Sequence, residues 1–566
     1  MSENPQENKS QNNKRLLKSG ISLSVLTFGS RIMGLIREMT KAAFLGTSMH
    51  ADAFTTAFMI PNLLRRLFAE NSVSVAFIPT FKKYLSEGDS DENKKATQDF
   101  LNATFTLVTF CTVIVVITGF LIAPYLSQIF CNKPGSSFSA FITNLTGRPQ
   151  LELTSEEFAV AMNEWHAKTN EITILTRIMW PYLCFISIAA LFQGILNGCK
   201  IFAPSGFTPI LLNGIIIVST YVLSPHMGNP ARAMSVGVII GGFVQAAFQL
   251  PFVLKTGWKL SFTSLKKTFS NPGTKKVLAL IGPTIIGMAA YQLNDVVSTA
   301  VANRLGTGVT SSLQYSLRLQ ELILGIFAVS IGTVILPDLS TFAQKKDWDN
   351  FNSMLIQALK IITMISIPVT FYSLVTGEDL IALLYKNKNF NDESVSMTLG
   401  VFRWHIAGLL FIAMNRIIAP AFYAQQNTKL PTTAGIISFV INIIFALALS
   451  IPMKGQGIAL ALSVASLGNT IFLILFMKKM ESFDVKGLLK NMGLYIIKII
   501  LFSVIASLPV YFLRPVLLNA FAGHSRIISY GLPVAITAII FGIIGVGLLI
   551  VTGDKSTKTL IKKIKR

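Results

Sequence analysis

Leu107 to Ala123 reads LVTFCTVIVVITGFLIA, and the longer stretch around it, Phe100 to Asn132, holds no Asp, Glu, Lys or Arg. A helix of about 20 apolar residues is what crosses the hydrocarbon of a bilayer. Working outward with a window of about 19 residues, similar segments fall at about 17–46, 53–81, 98–131, 170–199, 205–224 and 231–254. After a basic linker they resume at about 276–303, 309–343, 351–376, 395–424, 431–452, 456–477, 488–513 and 527–552. The reading is an all-α polytopic membrane protein with fourteen transmembrane helices. Several segments exceed the minimum span, which implies tilt. Of the 566 residues, 52% are hydrophobic and 13% charged, which excludes an ordinary soluble enzyme.

Lys and Arg number 49 against 27 Asp and Glu, a net charge of +22. In a soluble chain this would point to nucleic acid; between membrane spans it sets orientation, and no nucleic-acid partner is expected. Assigning alternate connections to opposite sides gives 28 basic residues on one side and 10 on the other. The richer side is cytoplasmic and includes both termini. Met1 to Gln11 is polar and lacks the pattern of a cleaved signal, so the first apolar segment is expected in the mature chain. Cys111, Cys131, Cys184 and Cys199 lack the spacing of a metal site or disulfide framework.

The chain repeats itself. Leu45-Gly46-Thr47 recurs as Leu305-Gly306-Thr307, and Phe77-Ile78-Pro79 is matched by Ile335-Leu336-Pro337. Helices 1–6 and 7–12 are therefore expected to form two six-helix lobes related by a pseudo-two-fold along the membrane normal. The expected divisions are an N-tail (1–15), an N-lobe (16–257) with an external insertion at about 132–169, and a basic linker (258–275). A C-lobe (276–480), helices 13 and 14 (486–552) and a basic tail (553–566) follow. Such two-lobed proteins are transporters, with a substrate cavity between the lobes.

Eleven basic residues lie inside the assigned spans, and six are concentrated in helices 1, 2 and 8: Arg31, Arg37, Lys41, Arg65, Arg66 and Arg318. Ser30-Arg31-Ile32-Met33-Gly34-Leu35-Ile36-Arg37-Glu38 lies in helix 1; helix 2 runs from Asp52 through Pro61-Asn62-Leu63-Leu64-Arg65-Arg66 to Glu70; helix 8 adds Arg318 and Glu321. Helical spacing puts Arg31 and Glu38 on one face, Arg37 and Lys41 on another, and Arg66 within reach of Glu70. Four acids (Glu38, Asp52, Glu70, Glu321) against six cations leave a surplus of about two positive charges. Guanidinium forks match phosphate oxygens, so an anionic, phosphate-bearing substrate is one reading; salt bridges clamping the lobes is the other.

Asp295 in helix 7, beside Asn294, is a candidate for coupling to Na⁺ or H⁺, with a helix-to-helix hydrogen bond as the alternative. Gly282-Pro283 and Pro368 are candidate hinges. The sequence has no phosphate loop of the G-x-x-x-x-G-K-[ST] type, no paired metal-ligand spacing among its five histidines and no evident nucleophile with a base. A non-enzyme without cofactor or metal is expected. Residues 155–168 read as a helical stretch in the external insertion, but Ser155 with Phe158 is not a capping box.

The run Gly29 to Lys41, Asp52-Ala53-Phe54, Pro61 to Glu70 and Ala76-Phe77-Ile78-Pro79 closely resembles the MurJ/MviN lipid II flippase family of the multidrug/oligosaccharidyl-lipid/polysaccharide exporter superfamily. The resemblance extends more loosely through Gly282-Pro283, Arg318 with Glu321, Gly332 to Pro337 and Ala419 to Tyr423. It implies that Arg31, Arg37, Asp52, Arg65, Glu70 and Arg318 occupy substrate-binding positions, with Ser30, Glu38, Asn62, Arg66 and Glu321 in a second tier. It implies lipid II, an undecaprenyl-pyrophosphate disaccharide-pentapeptide, as substrate, helices 13 and 14 as a groove for its tail, and the bacterial cytoplasmic membrane as location. Membrane lipids and cell-wall synthesis enzymes are the partners it suggests. Three departures stand out: Glu38 where an Asp is familiar, Leu317 at an often polar place, and a longer external insertion.

Two rival functions remain at this level. A cation-coupled exporter of drugs or of other lipid-linked oligosaccharides would want acids in its cavity and usually has twelve spans. A non-transporting cell-wall scaffold would need no arginine-lined cavity.

Overall fold

The computed structural model describes residues 5–67, 76–88, 90–131, 133–134 and 154–554. Every regular element among them is helical. This follows from the composition, because only a helix satisfies every backbone group of a lone segment within lipid. The first helices are α1 (Pro5–Leu45), α2 (Met49–Leu64), α3 (Ile78–Ser86), α4 (Asp91–Phe130), α5 (Ser155–Met179), α6 (Tyr182–Gly198), α7 (Ala203–Met227), α8 (Pro230–Leu254), α9 (Leu265–Ser270) and α10 (Pro272–Ala302). The rest are α11 (Val309–Gln344), α12 (Trp348–Tyr385), α13 (Asp392–Ala407), α14 (Leu409–Tyr423), α15 (Lys429–Met453), α16 (Gly455–Met477), α17 (Val485–Ala520) and α18 (Leu532–Val551), the last preceded by a π-helical turn at Ile527–Gly531.

Among the described residues nine helical spans are long and apolar enough to cross a membrane, and α13 with α14, bent by 41°, makes a tenth. The other four of the fourteen expected segments fall on α1, α2, α10 and α11. These are helical too, but α1 carries Arg31, Arg37, Glu38 and Lys41, and α2 has 16 residues. The expected count of fourteen therefore stands above the ten spans that length and apolarity alone identify.

Polar caps fix where several helices begin. Ser90 accepts from the Asn93 amide at the start of α4, Asn229 from Ala231 at α8, Asp347 from Asn350 at α12, Asn391 from Ser394 at α13 and Asp484 from Gly487 at α17. Each satisfies an amide that the helix itself leaves unpaired. At α5 the cap is Thr154, which forms a complete capping box with Glu157, one residue ahead of Ser155. The expected external helical stretch runs without a break into the first turns of the following span within α5, and α6 completes that span.

The chain divides into two compact units, Met1–Leu45 with Met49–Ala300, and Gly46–Ser48 with Val301–Arg566. The sequence repeat assigns the helix of residues 276–303 to the second lobe, whereas α10 groups with the first unit. Its first turns explain this. Val277 is buried in the same apolar cluster as Phe77, Phe81 and Phe100, and a Cβ on Gly273 would lie 2.3 Å from the Phe100 ring. The glycines of the duplicated triplet behave alike, Gly46 with φ 56° and Gly306 with φ 125°, where a side chain would be strained.

In the first unit, Trp180 after α5 lies flat against α4: its Nε1 donates to the Val115 carbonyl at 2.9 Å, and a Cβ on Gly119 would fall 1.7 Å from its ring. In the second unit, Tyr315, Tyr385 and Phe390 form a buried aromatic cluster. Helices α17 and α18 are fastened to α12 there. The Tyr372 hydroxyl donates to the Val534 carbonyl at 2.7 Å. Arg514 forks onto Asp379, with Nε and Nη2 at 2.5 and 2.8 Å from its two oxygens, and reaches Glu378 at 2.8 Å.

Candidate functional site

The charged residues of α1 gather around one carboxylate. Glu38 receives Arg37 Nη2 at 2.7 Å and Lys41 Nζ at 2.8 Å. Arg37 Nη1 also donates to Asn213 Oδ1 on α7 at 3.1 Å, and its guanidinium lies 5.6 Å from the centre of the Phe58 ring. Lys41 reaches the Thr55 hydroxyl of α2 at 3.4 Å. All three charged side chains are buried, Lys41 to 2% exposure and Glu38 to 3%. Burying charge is tolerable only where partners surround it, and Arg37, Glu38 and Lys41 supply such partners to one another.

Asp52 at the start of α2 is fully buried, and its Oδ2 lies 3.7 Å from Lys168 Nζ on α5. One turn further along α5, Glu171 takes Arg232 at 2.8 Å and the Asn229 amide at 2.7 Å, and Asn229 in turn faces His50 at 3.4 Å. These residues tie α2, α5 and α8 together.

The remaining predicted residues are more open. Arg31 is partly exposed on α1, and the Ser30 hydroxyl is turned back onto the Thr27 carbonyl of its own helix. Asn62 accepts from Arg65 Nε at 3.1 Å. Arg66 pairs with Asp295 of α10 at 3.6 Å, with side chains 36% and 58% exposed. Glu70, expected beside Arg66, lies outside the described residues. In the second unit Arg318 Nη1 pairs with Glu321 at 3.0 Å.

The structure thus brings Arg37, Glu38 and Lys41 into one cluster, joins Asn62 to Arg65 and Arg66 to Asp295 in the first unit, and joins Arg318 to Glu321 in the second. Sequence reasoning missed Asn213, Thr55 and Lys168. The signal for Asn213 was present, a single amide in the apolar run Ile210-Leu211-Leu212-Asn213. Lys168 gave no such signal, because in sequence it is one more basic residue of a polar connection. In the first unit Arg31, Arg37, Lys41, Arg65, Arg66 and Lys168 outnumber Glu38, Asp52 and Asp295 among the described residues. The chemistry on offer is recognition of an anion by guanidinium and ammonium donors. Among the described residues no group of three or more His, Cys, Asp or Glu side chains is placed to hold a metal ion.

The chain resembles known proteins over most of its length. A family model described as lipid II flippase MurJ matches residues 41–530. The chain is 44% identical over 552 residues to the probable lipid II flippase MurJ of Treponema pallidum, covering 97% of this chain and 98% of that one. It is 34% identical to the probable lipid II flippase MurJ of Vibrio cholerae, covering 81% and 82%. Among solved structures, a lipid II flippase MurJ in an inward closed conformation superposes with a TM-score of 0.72 at 26% identity, covering 94% of this chain and 99% of that one.

Proposed function

The chain belongs to the lipid II flippase MurJ family, and on that premise we propose that it moves lipid II from the inner to the outer leaflet of the bacterial cytoplasmic membrane. The observation that carries the reading is the cation-rich face built on α1: two buried basic side chains, Arg37 and Lys41, both pair with the carboxylate of Glu38, with Arg31 earlier on the same helix and Arg65 and Arg66 following α2. Lipid II bears a pyrophosphate, and a site with more cations than acids is the complement of that headgroup.

In this reading Arg31, Arg37, Arg65 and Arg318 bind the pyrophosphate, while Asp52, Glu70 and the second tier of Ser30, Glu38, Asn62, Arg66 and Glu321 hold those cations in position. The headgroup crosses by alternating access, and the polyprenyl tail stays in lipid along α17 and α18. No covalent chemistry is required, so the protein is a transporter without a catalytic residue, cofactor or resident metal. The loops rich in Lys and Arg face the cytoplasm together with both termini. Asp295 is the candidate for Na⁺ or H⁺ coupling, and the membrane potential supplies about 2.3 kcal/mol per charge per 100 mV to reset the carrier. Cell-wall synthesis enzymes that consume the flipped precursor are natural neighbours.

Complementation of a flippase-depleted strain tests this. Arg37→Ala, Arg65→Ala and Arg318→Ala are each expected to abolish rescue while leaving membrane abundance unchanged. Full rescue by all three would remove the arginines from the mechanism.

A further inference from the structure

In the first unit, α4 and α5 flank a cleft of about 620 Å³ that the site above does not use. Ser127 and Gln128 of α4 face Trp165, Asn170, Thr173 and Arg177 of α5 across it. The α5 residues recur at intervals of three to five, so they share one helical face. Hydrogen bonds hold the walls: the Thr173 hydroxyl donates to Ser127 Oγ at 2.9 Å, and Trp165 Nε1 donates to the Cys131 carbonyl at 3.3 Å.

Arg177 closes the deep end. Its Nε donates to the Phe120 carbonyl at 3.3 Å, and its guanidinium lies 5.0 Å from the centre of the Phe120 ring. Among the described residues no carboxylate forms an ion pair with it, and its two terminal nitrogens have no protein acceptor. Two counts locate this guanidinium. A hydrocarbon core takes about 20 helical residues; counted back from Gly198 at the end of α6, or forward from Phe100 at the start of the charge-free run of α4, they end next to Arg177 and Phe120 respectively. The charge therefore sits at the level where hydrocarbon meets headgroups. On the hydrocarbon side of that level, Phe110, Val113, Ile114 and Ile117 of α4 are 37%, 41%, 47% and 57% exposed, an apolar strip of the kind that acyl chains cover.

We propose that this cleft binds the phosphate of a glycerophospholipid, with the terminal nitrogens of Arg177 on the phosphate oxygens and the Asn170 and Gln128 amides on the headgroup. A cation at the headgroup level faces the phosphates of the surrounding lipids, and guanidinium holds two phosphate oxygens at once. The apolar strip next to it selects a lipid over a free anion. On the orientation proposed above, the lipid comes from the outer leaflet.

The test is native mass spectrometry of the full chain released from detergent with added phosphatidylglycerol, in parallel with inorganic phosphate as competitor. Wild type is expected to retain phosphatidylglycerol, and Arg177→Gln to lose about tenfold in retention, as a charge-assisted pair warrants. Arg177→Lys is expected to fall between them. Asn170→Trp, at an exposed position where folding is undisturbed, is expected to lose retention by filling the mouth. Equal retention by wild type, Arg177→Gln and Asn170→Trp would overturn the proposal, as would displacement of the lipid by millimolar inorganic phosphate. The readout is lipid retention, so failure here leaves the transport reading untouched.

Discussion

Glu38 accepts two cations at once, and that makes it the most exacting residue of the α1 cluster. Glu38→Gln would leave Arg37 and Lys41 buried together without the carboxylate they share. Loss of one partner of a buried ion pair costs about 3–5 kcal/mol, so the variant is expected to melt markedly earlier in detergent than wild type; an unchanged melting temperature would show that the cluster is not held by this carboxylate. Lys168 and Asp52 make a second case. Lys168→Met should lower stability by about 3 kcal/mol, and adding Asp52→Asn should return part of that loss, measured as a double-mutant cycle. No recovery would mean that the two side chains are not coupled. The sequence made the first cluster partly legible, because Arg37, Glu38 and Lys41 are neighbours on one helix and local spacing governs their meeting. Helical spacing put Arg31 and Glu38 on one face and Arg37 and Lys41 on another, and the structure adds that Glu38 receives both Arg37 and Lys41. The Asp52–Lys168 pair was not legible, since it depends on how α5 packs on α2.

At the scale of elements, charge inside a helix and charge at its end tell different stories. Glu378 and Asp379 of α12 read as ordinary acids near the end of a span, yet together they grip Arg514 of α17. Asp379 is 2% exposed, so Arg514→Ala would strand it. The expected result is a loss of about 3 kcal/mol and faster amide exchange along α17 and α18, with α4 to α8 unaffected; uniform exchange along every helix would contradict a local fastening. The helices themselves were legible wherever apolar runs are long, as in α4, α15 and α18. They were less so where a polar helix continues into an apolar one. In α5 the capping box at Thr154 and Glu157 starts a helix that runs unbroken from a charged stretch into the span, and the change of composition at about residue 169 concealed that continuity.

For the whole molecule, the all-helical membrane architecture follows from composition, and the family follows from the arginine-bearing stretch of α1 and α2 together with likeness along nearly the full chain. The repeat divides the chain after about residue 275, whereas in the structure the first turns of α10 are committed by Val277 and Gly273 to the aromatic cluster around Phe100. Triplet repeats report ancestry, whereas packing decides which core a helix completes. The central claim is that the cations of α1 and α2 recognise a pyrophosphate headgroup in transit, and transport of labelled lipid II in proteoliposomes tests it most directly. Wild type is expected to expose lipid II on the opposite leaflet, and Arg37→Ala with Arg65→Ala to fall to the rate of protein-free vesicles. Transport by the double variant at the wild-type rate would contradict the account.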